Sequence, residues 1–85
     1  MNVSIHHPTD KANFSEVTIG RLTLFFSYKT VIGVFTPDDG AYVRENDWGP
    51  TTGKHINWIM DQYGIKTRMS SSDFDDRLEA ITNLT

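Results

Sequence analysis

Apolar and polar residues alternate most clearly from Arg21 to Lys29. Leu22, Leu24, Phe26 and Tyr28 share one face of that stretch, while Arg21, Thr23, Phe25, Ser27 and Lys29 share the other. This is the period-two signature of a strand. Phe14 to Ile19 also alternates, with Val17 and Ile19 on one side, and Gly20-Arg21 can turn the chain between the two runs. Val31 to Thr36 is rich in β-branched and aromatic side chains. Pro37-Asp38-Asp39-Gly40 is a strong turn: Pro presets φ, Asp bonds locally and Gly accepts positive φ. Ala41 to Glu45 returns as a short strand. Together these predict an antiparallel β-meander of three to four strands over about 14–45.

The period lengthens after Asn46-Asp47-Trp48-Gly49-Pro50. Thr51 or Thr52 is expected to cap a helix over about 51–63, with Ile56, Ile59, Met60 and Tyr63 facing the core and Gly64 ending it. Ile65 to Met69 reads as extended, a candidate edge strand. Ser71 or Ser72 is expected to cap a second helix over about 72–82, with Phe74, Leu78 and Ile81 buried and aspartates in its first turn. Residues 1–13 show no period and read as an N-terminal arm. Residues 14–85 form one domain. The predicted fold class is therefore α+β: a meander whose Leu22-Leu24-Phe26-Tyr28 face packs against two short helices.

Composition narrows the function classes. Eighty-five residues with 38% apolar content, including five Phe, three Tyr and two Trp, support one compact core. The chain has no cysteine, so it holds no disulfide and no thiolate metal site. This fits a reducing compartment. No apolar run approaches the ~20 residues that span a bilayer. The N-terminal residues lack a basic stretch followed by an apolar core, so they do not read as a signal peptide. A net charge of −3 disfavours non-specific nucleic-acid binding, which relies on neutralising phosphates.

Several residues carry candidate chemistry. Gly49-Pro50-Thr51-Thr52-Gly53-Lys54-His55 superficially suggests a phosphate loop. However, three residues separate the glycines instead of four, and His55 stands where Ser or Thr is needed. Thr51, Thr52 and Gly53 still open a helix whose free N–H groups suit an anion, or the threonines serve only as caps. With the isoleucines inward, Trp58 points away from the core on a face shared with Lys54, Asn57 and Asp61. That exposure fits an anchor for a partner or a second copy of the chain, unless the arm or residues 65–69 cover it. Trp48 is expected to plug the joint between sheet and helix. Phe25 lies on the sheet face opposite the helices, a face that asks for cover. His6-His7 with His55 lacks a fixed metal geometry and reads as a tail pair. His55 is expected to bond a strand carbonyl or to act as a base. No catalytic set assembles from the sequence, and no metal or cofactor is expected.

The segments Phe26-Ser27-Tyr28-Lys29-Thr30 and Asn46-Asp47-Trp48-Gly49-Pro50-Thr51-Thr52-Gly53-Lys54-His55-Ile56-Asn57 resemble a family of small uncharacterised proteins of bacteriophages and prophages. That family pairs an FSYxT strand with an NxWGPTTGKHxN segment. The resemblance spans roughly residues 22–60 and implies a host-cell cytoplasmic setting, without an activity. The leading expectation is a non-enzymatic phage accessory protein that binds and modulates a host protein, in defence or transcription. Its contacts would be Trp58, Lys54, Asn57 and Phe25, with a homodimer as a further option. The alternative is a sponge-like binder of a small molecule or nucleotide through Thr51, Thr52, Gly53, Lys54 and His55, flanked by Tyr28. A third reading is nucleic-acid binding on an open sheet, with Phe25 stacking a base and Arg21, Lys29 and Arg44 on phosphates.

Overall fold

A computed structural model describes residues 3–8 and 13–82. Five strands form one antiparallel sheet in the order of the chain: β1 (Val3–His6), β2 (Phe14–Ile19), β3 (Leu22–Ser27), β4 (Thr30–Thr36) and β5 (Gly40–Val43). Two helices follow, α1 (Pro50–Tyr63) and α2 (Ser71–Thr82). The α+β meander read from the sequence is present with one extra strand. Val3–His6, assigned above to the arm, pairs with β2, Val3 opposite Ile19 and Ile5 opposite Val17. Four residues are too few for their alternation to register as a period. Of the expected arm, residues 1, 2 and 9–12 lie outside the described residues.

The helices lie on opposite faces of the sheet, which corrects the expectation that both share one. Phe14, Phe25, Ile32 and Val43 form a core with Ile56 and Ile59 of α1. Leu24, Val34 and Tyr42 form a second core with Phe74 of α2, flanked by Leu22, Phe26, Leu78 and Ile81. The sheet is therefore apolar on both faces because both are covered. A register shift between Phe25 and Phe26 gives Ile32 an unpaired position between Gly33 and Val31. This bulge adds Ile32 to the α1 side, where it is fully buried.

Gly33 sets how closely α1 approaches. A Cβ at this position would lie 3.0 Å from Ile59 Cδ1 and 3.3 Å from Val43 Cγ1. α1 starts at Pro50 with Gly49 as its N-cap and no side-chain cap bond, so neither Thr51 nor Thr52 caps it. Pro suits this first position because its missing N–H would have no intrahelical partner. Gly64 ends the helix at φ 66° as expected.

Arg44 fastens α2. It is buried, its Nη1 donates to Asp75 Oδ1 at 2.8 Å, and its guanidinium lies 4.9 Å from the Trp48 ring centre and 5.2 Å from that of Phe74. Of the expected strand at 65–69, Met69 alone pairs, bridging Arg44 in parallel. Its N–H donates to Val43 O and its carbonyl accepts from Glu45 N–H, each at 2.8 Å. At the start of α2, Ser70 Oγ accepts from Asp73 N–H and Glu45 Oε1 accepts from Ser71 N–H. The predicted Ser71 or Ser72 cap is thus one or two residues late.

Gly33→Ala is expected to overpack the α1 side and lower stability by about 1–2 kcal/mol, measured by urea denaturation. A second prediction concerns Tyr42, whose buried hydroxyl has no protein partner among the described residues. Burial pushes its phenol above 10.0, with Asp39 adding to the rise and Arg77 opposing it. Because the folded value exceeds the unfolded one, this contribution to stability is intact below pH 10 and is lost as pH climbs through the folded value. Tyr42→Phe is expected to keep or slightly raise stability at pH 7 and to flatten the alkaline loss, as followed by melting temperature against pH.

Candidate binding surface at the start of α1

The two sequence segments singled out above meet in a buried polar contact. Ser27, the last residue of β3, lies within hydrogen-bonding distance of Thr52 Oγ1 at 2.9 Å and of His55 Nδ1 at 2.7 Å. Ser27 and His55 are each 1% exposed. A hydroxyl has one donor and two acceptor sites, so Ser27 can serve both neighbours at once. The His55 ring stacks on Phe14, centroids 4.7 Å apart and 7° from parallel. His55 was expected to bond a strand carbonyl; the partner found is a strand side chain. The 2.7 Å spacing resembles a nucleophile and its base, yet both side chains are buried.

Burying Thr52 and His55 rotates α1 from the orientation expected from its isoleucines. The core-facing stripe becomes Thr52, His55, Ile56 and Ile59. Trp58 therefore comes round to the flank of the core. It is partly buried and meets Phe14 edge-on at 5.4 Å and Phe25 at 6.5 Å. It does not point away from the domain as expected. Phe25 is fully buried, which removes it as a partner contact and as a base-stacking platform, because α1 covers that face. Lys54 and Asn57 are exposed, and Asn57 Oδ1 accepts from Arg68 at 2.7 Å.

The surface at the start of α1 has different anchors. Tyr28 and Trp48 are 56% and 48% exposed. They line a cavity of about 290 Å³ with Ser27, Thr30, Gly49, Pro50, Thr51 and Thr52. Of the expected ligand set, Tyr28, Thr51 and Thr52 are brought together there, while Gly53, Lys54 and His55 are not among the lining residues. Trp48 is not the plug predicted. Its backbone N–H donates to Asn46 Oδ1, and Asn46 Nδ2 donates to Gly49 O. Asn46 thus folds the loop that presents the indole above Arg44. Gly53 leaves room for this, since a Cβ there would lie 3.0 Å from Asn46 Nδ2.

Tyr28 has φ of 57° in the two-residue connection between Ser27 and Thr30. Glycine is the usual occupant of such a position, and a bulky side chain there is strained. The sequence placed Tyr28 in the alternating face of β3, so the turn was missed. The available clue for Trp48 was its place among Asn, Gly and Pro, where loops carry exposed side chains. Among the described residues no three His, Asp or Glu side chains gather as a metal site, and no helix is long and apolar enough to cross a membrane.

Ser27→Ala would leave Thr52 and His55 without their shared hydroxyl. A loss of about 1–3 kcal/mol is expected. Combining Ser27→Ala with Thr52→Val should cost less than the sum of the single changes in a denaturation cycle.

Residues 2–76 match the model of a family of unknown function, DUF8033. No curated protein and no solved structure matches the chain.

Proposed function

The chain belongs to that family of unknown function, and from this premise we propose that it is a non-enzymatic binding protein whose contact surface is the rim formed by Tyr28 and Trp48. The observation that carries this reading is the pair of exposed aromatic rings flanking one cavity, one held at a positive φ that glycine would occupy without strain. Tyr and Trp are the side chains most enriched where protein partners bind tightly. Thr51, also exposed, adds a hydroxyl beside them. The resemblance to small phage proteins supports a host protein in the cytoplasm as the partner, modulated in defence or transcription. The burial of Ser27 and His55, with the imidazole stacked on Phe14, supports a structural role for the groups that otherwise look catalytic.

A second reading rests on the cavity itself. Its volume of about 290 Å³ is near the lower end for small-molecule sites, and Ser27, Thr30, Thr51 and Thr52 all line it. A small molecule or nucleotide held at the start of α1 should raise the melting temperature in a ligand panel; no shift at millimolar ligand removes this reading.

Tyr28→Ala combined with Trp48→Ala is expected to leave the fold intact, since both rings are about half exposed. A partner recovered by affinity purification with the wild-type chain should be lost with this variant and kept with Lys66→Ala. Equal recovery with all three would sink the proposal.

A further inference from the structure

The two edges of the sheet are treated differently. The β5 edge is continued by Met69, which bonds Val43 and Glu45. The β1 edge has no neighbour among the described residues beyond β2. Exposed edges are usually defended by Lys, Pro or a bulge. β1 reads Val3-Ser4-Ile5-His6, is exposed at all four positions, and contains none of these. Val3 and Ile5 are 58% and 66% exposed. Through their partners Ile19 and Val17, and then Leu22 and Leu24, they extend the apolar side of the sheet that α2 packs on.

Strand geometry fixes what this edge can take. β2 and β3 are joined by Gly20 and Arg21, with Ile19 opposite Leu22. In such a tight hairpin the closing pair exchanges its backbone bonds. Ile19 and Val17 therefore direct their backbone groups to β3, and Thr18 and Glu16 direct theirs to β1. Ser4 and His6, their partners, are bonded inward. Val3 and Ile5 are left with N–H and C=O groups aimed at the open edge. We infer that a second copy of the chain pairs there, β1 against β1 in antiparallel register about a two-fold axis at Ser4.

This register satisfies both requirements of an antiparallel ladder. Val3 meets the partner's Ile5 as a bonded pair, on the same sheet face, and Ser4 meets its own counterpart as a non-bonded pair. Apolar side chains then face apolar side chains across the joint. Charge allows the contact as well. The chain carries −3 overall, but β1 holds no Asp, Glu, Lys or Arg and its His6 lies outside the Val3–Ile5 pairing, so two copies approach without like charges in register. A charged foreign strand finds no counter-charge on β1. The inference does not depend on the Tyr28–Trp48 rim, which uses none of these residues.

The test uses the full chain in sedimentation velocity over a wide concentration range. A concentration-dependent dimer is expected, converted to monomer by Ile5→Lys, whose melting temperature should equal that of the wild type at a dilution where both are monomeric. Because the chain has no cysteine, Ser4→Cys supplies one thiol at the axis. A non-bonded pair places its Cα atoms ~4.5 Å apart, within disulfide range, so mild oxidant should give a covalent dimer. Thr18→Cys, one strand inward, should not. A wild-type chain that stays monomeric throughout overturns the inference, as does a dimer that survives Ile5→Lys or a Ser4→Cys chain that fails to cross-link.

Discussion

The Ser27 hydroxyl joins the end of β3 to the first two turns of α1, and the orientation of α1 depends on it. A helix that buries two isoleucines can settle on a sheet at several rotations, because hydrophobic burial has no direction. Hydrogen bonds do have direction. Ser27 must be met by Thr52 and by His55, and one rotation of α1 satisfies both. That rotation carries Ile56 and Ile59 inward and Trp58 to the flank. It also lays His55 flat on Phe14, so β2 is drawn into the same core. Buried polar groups are costly when unpaired, and the pairing here converts that cost into a specified geometry.

The strands were legible in the sequence because each is half of an alternating pattern and each turn has recognisable chemistry. β1 was not, since Val3–His6 is too short for a period and is exposed on both sides. The helices were legible in extent but not in placement. Alternation in β3 assigned residues to two faces correctly, Leu24 and Phe26 to one and Phe25 and Ser27 to the other. It could not say that each face would receive a helix. The site was misread for one reason. Thr52 was assigned to a cap or an anion site and His55 to a strand carbonyl or a base, and the partner they share, Ser27, lies 25 to 28 positions away in the chain, a separation no local pattern reports.

The same fact reassigns the residues of the segment from 46 to 57. Asn46 shapes the loop, Gly53 admits it, and Thr52 and His55 reach the sheet. Once these are accounted for by the fold, Tyr28 and Trp48 remain as large apolar surfaces left in water. Tyr28 is held there at the cost of a positive φ, and Trp48 is steadied by the guanidinium beneath its ring. A scaffold this small has few means of displaying rigid aromatic rings. A tight hairpin and a proline-led helix start supply two within one cavity.

Strand order bears on how the chain acquires its structure. Every strand pairs with its immediate neighbour in sequence, so the sheet can zip up from local turns with small loop-closure entropy. α1 must instead find β3 across the intervening β4 and β5. The hydroxyl contact closes a loop of 25 positions, longer than any pairing among the five strands, so its entropy cost is the larger one. A chain that loses it would open more often to a form in which the sheet has one bare apolar face.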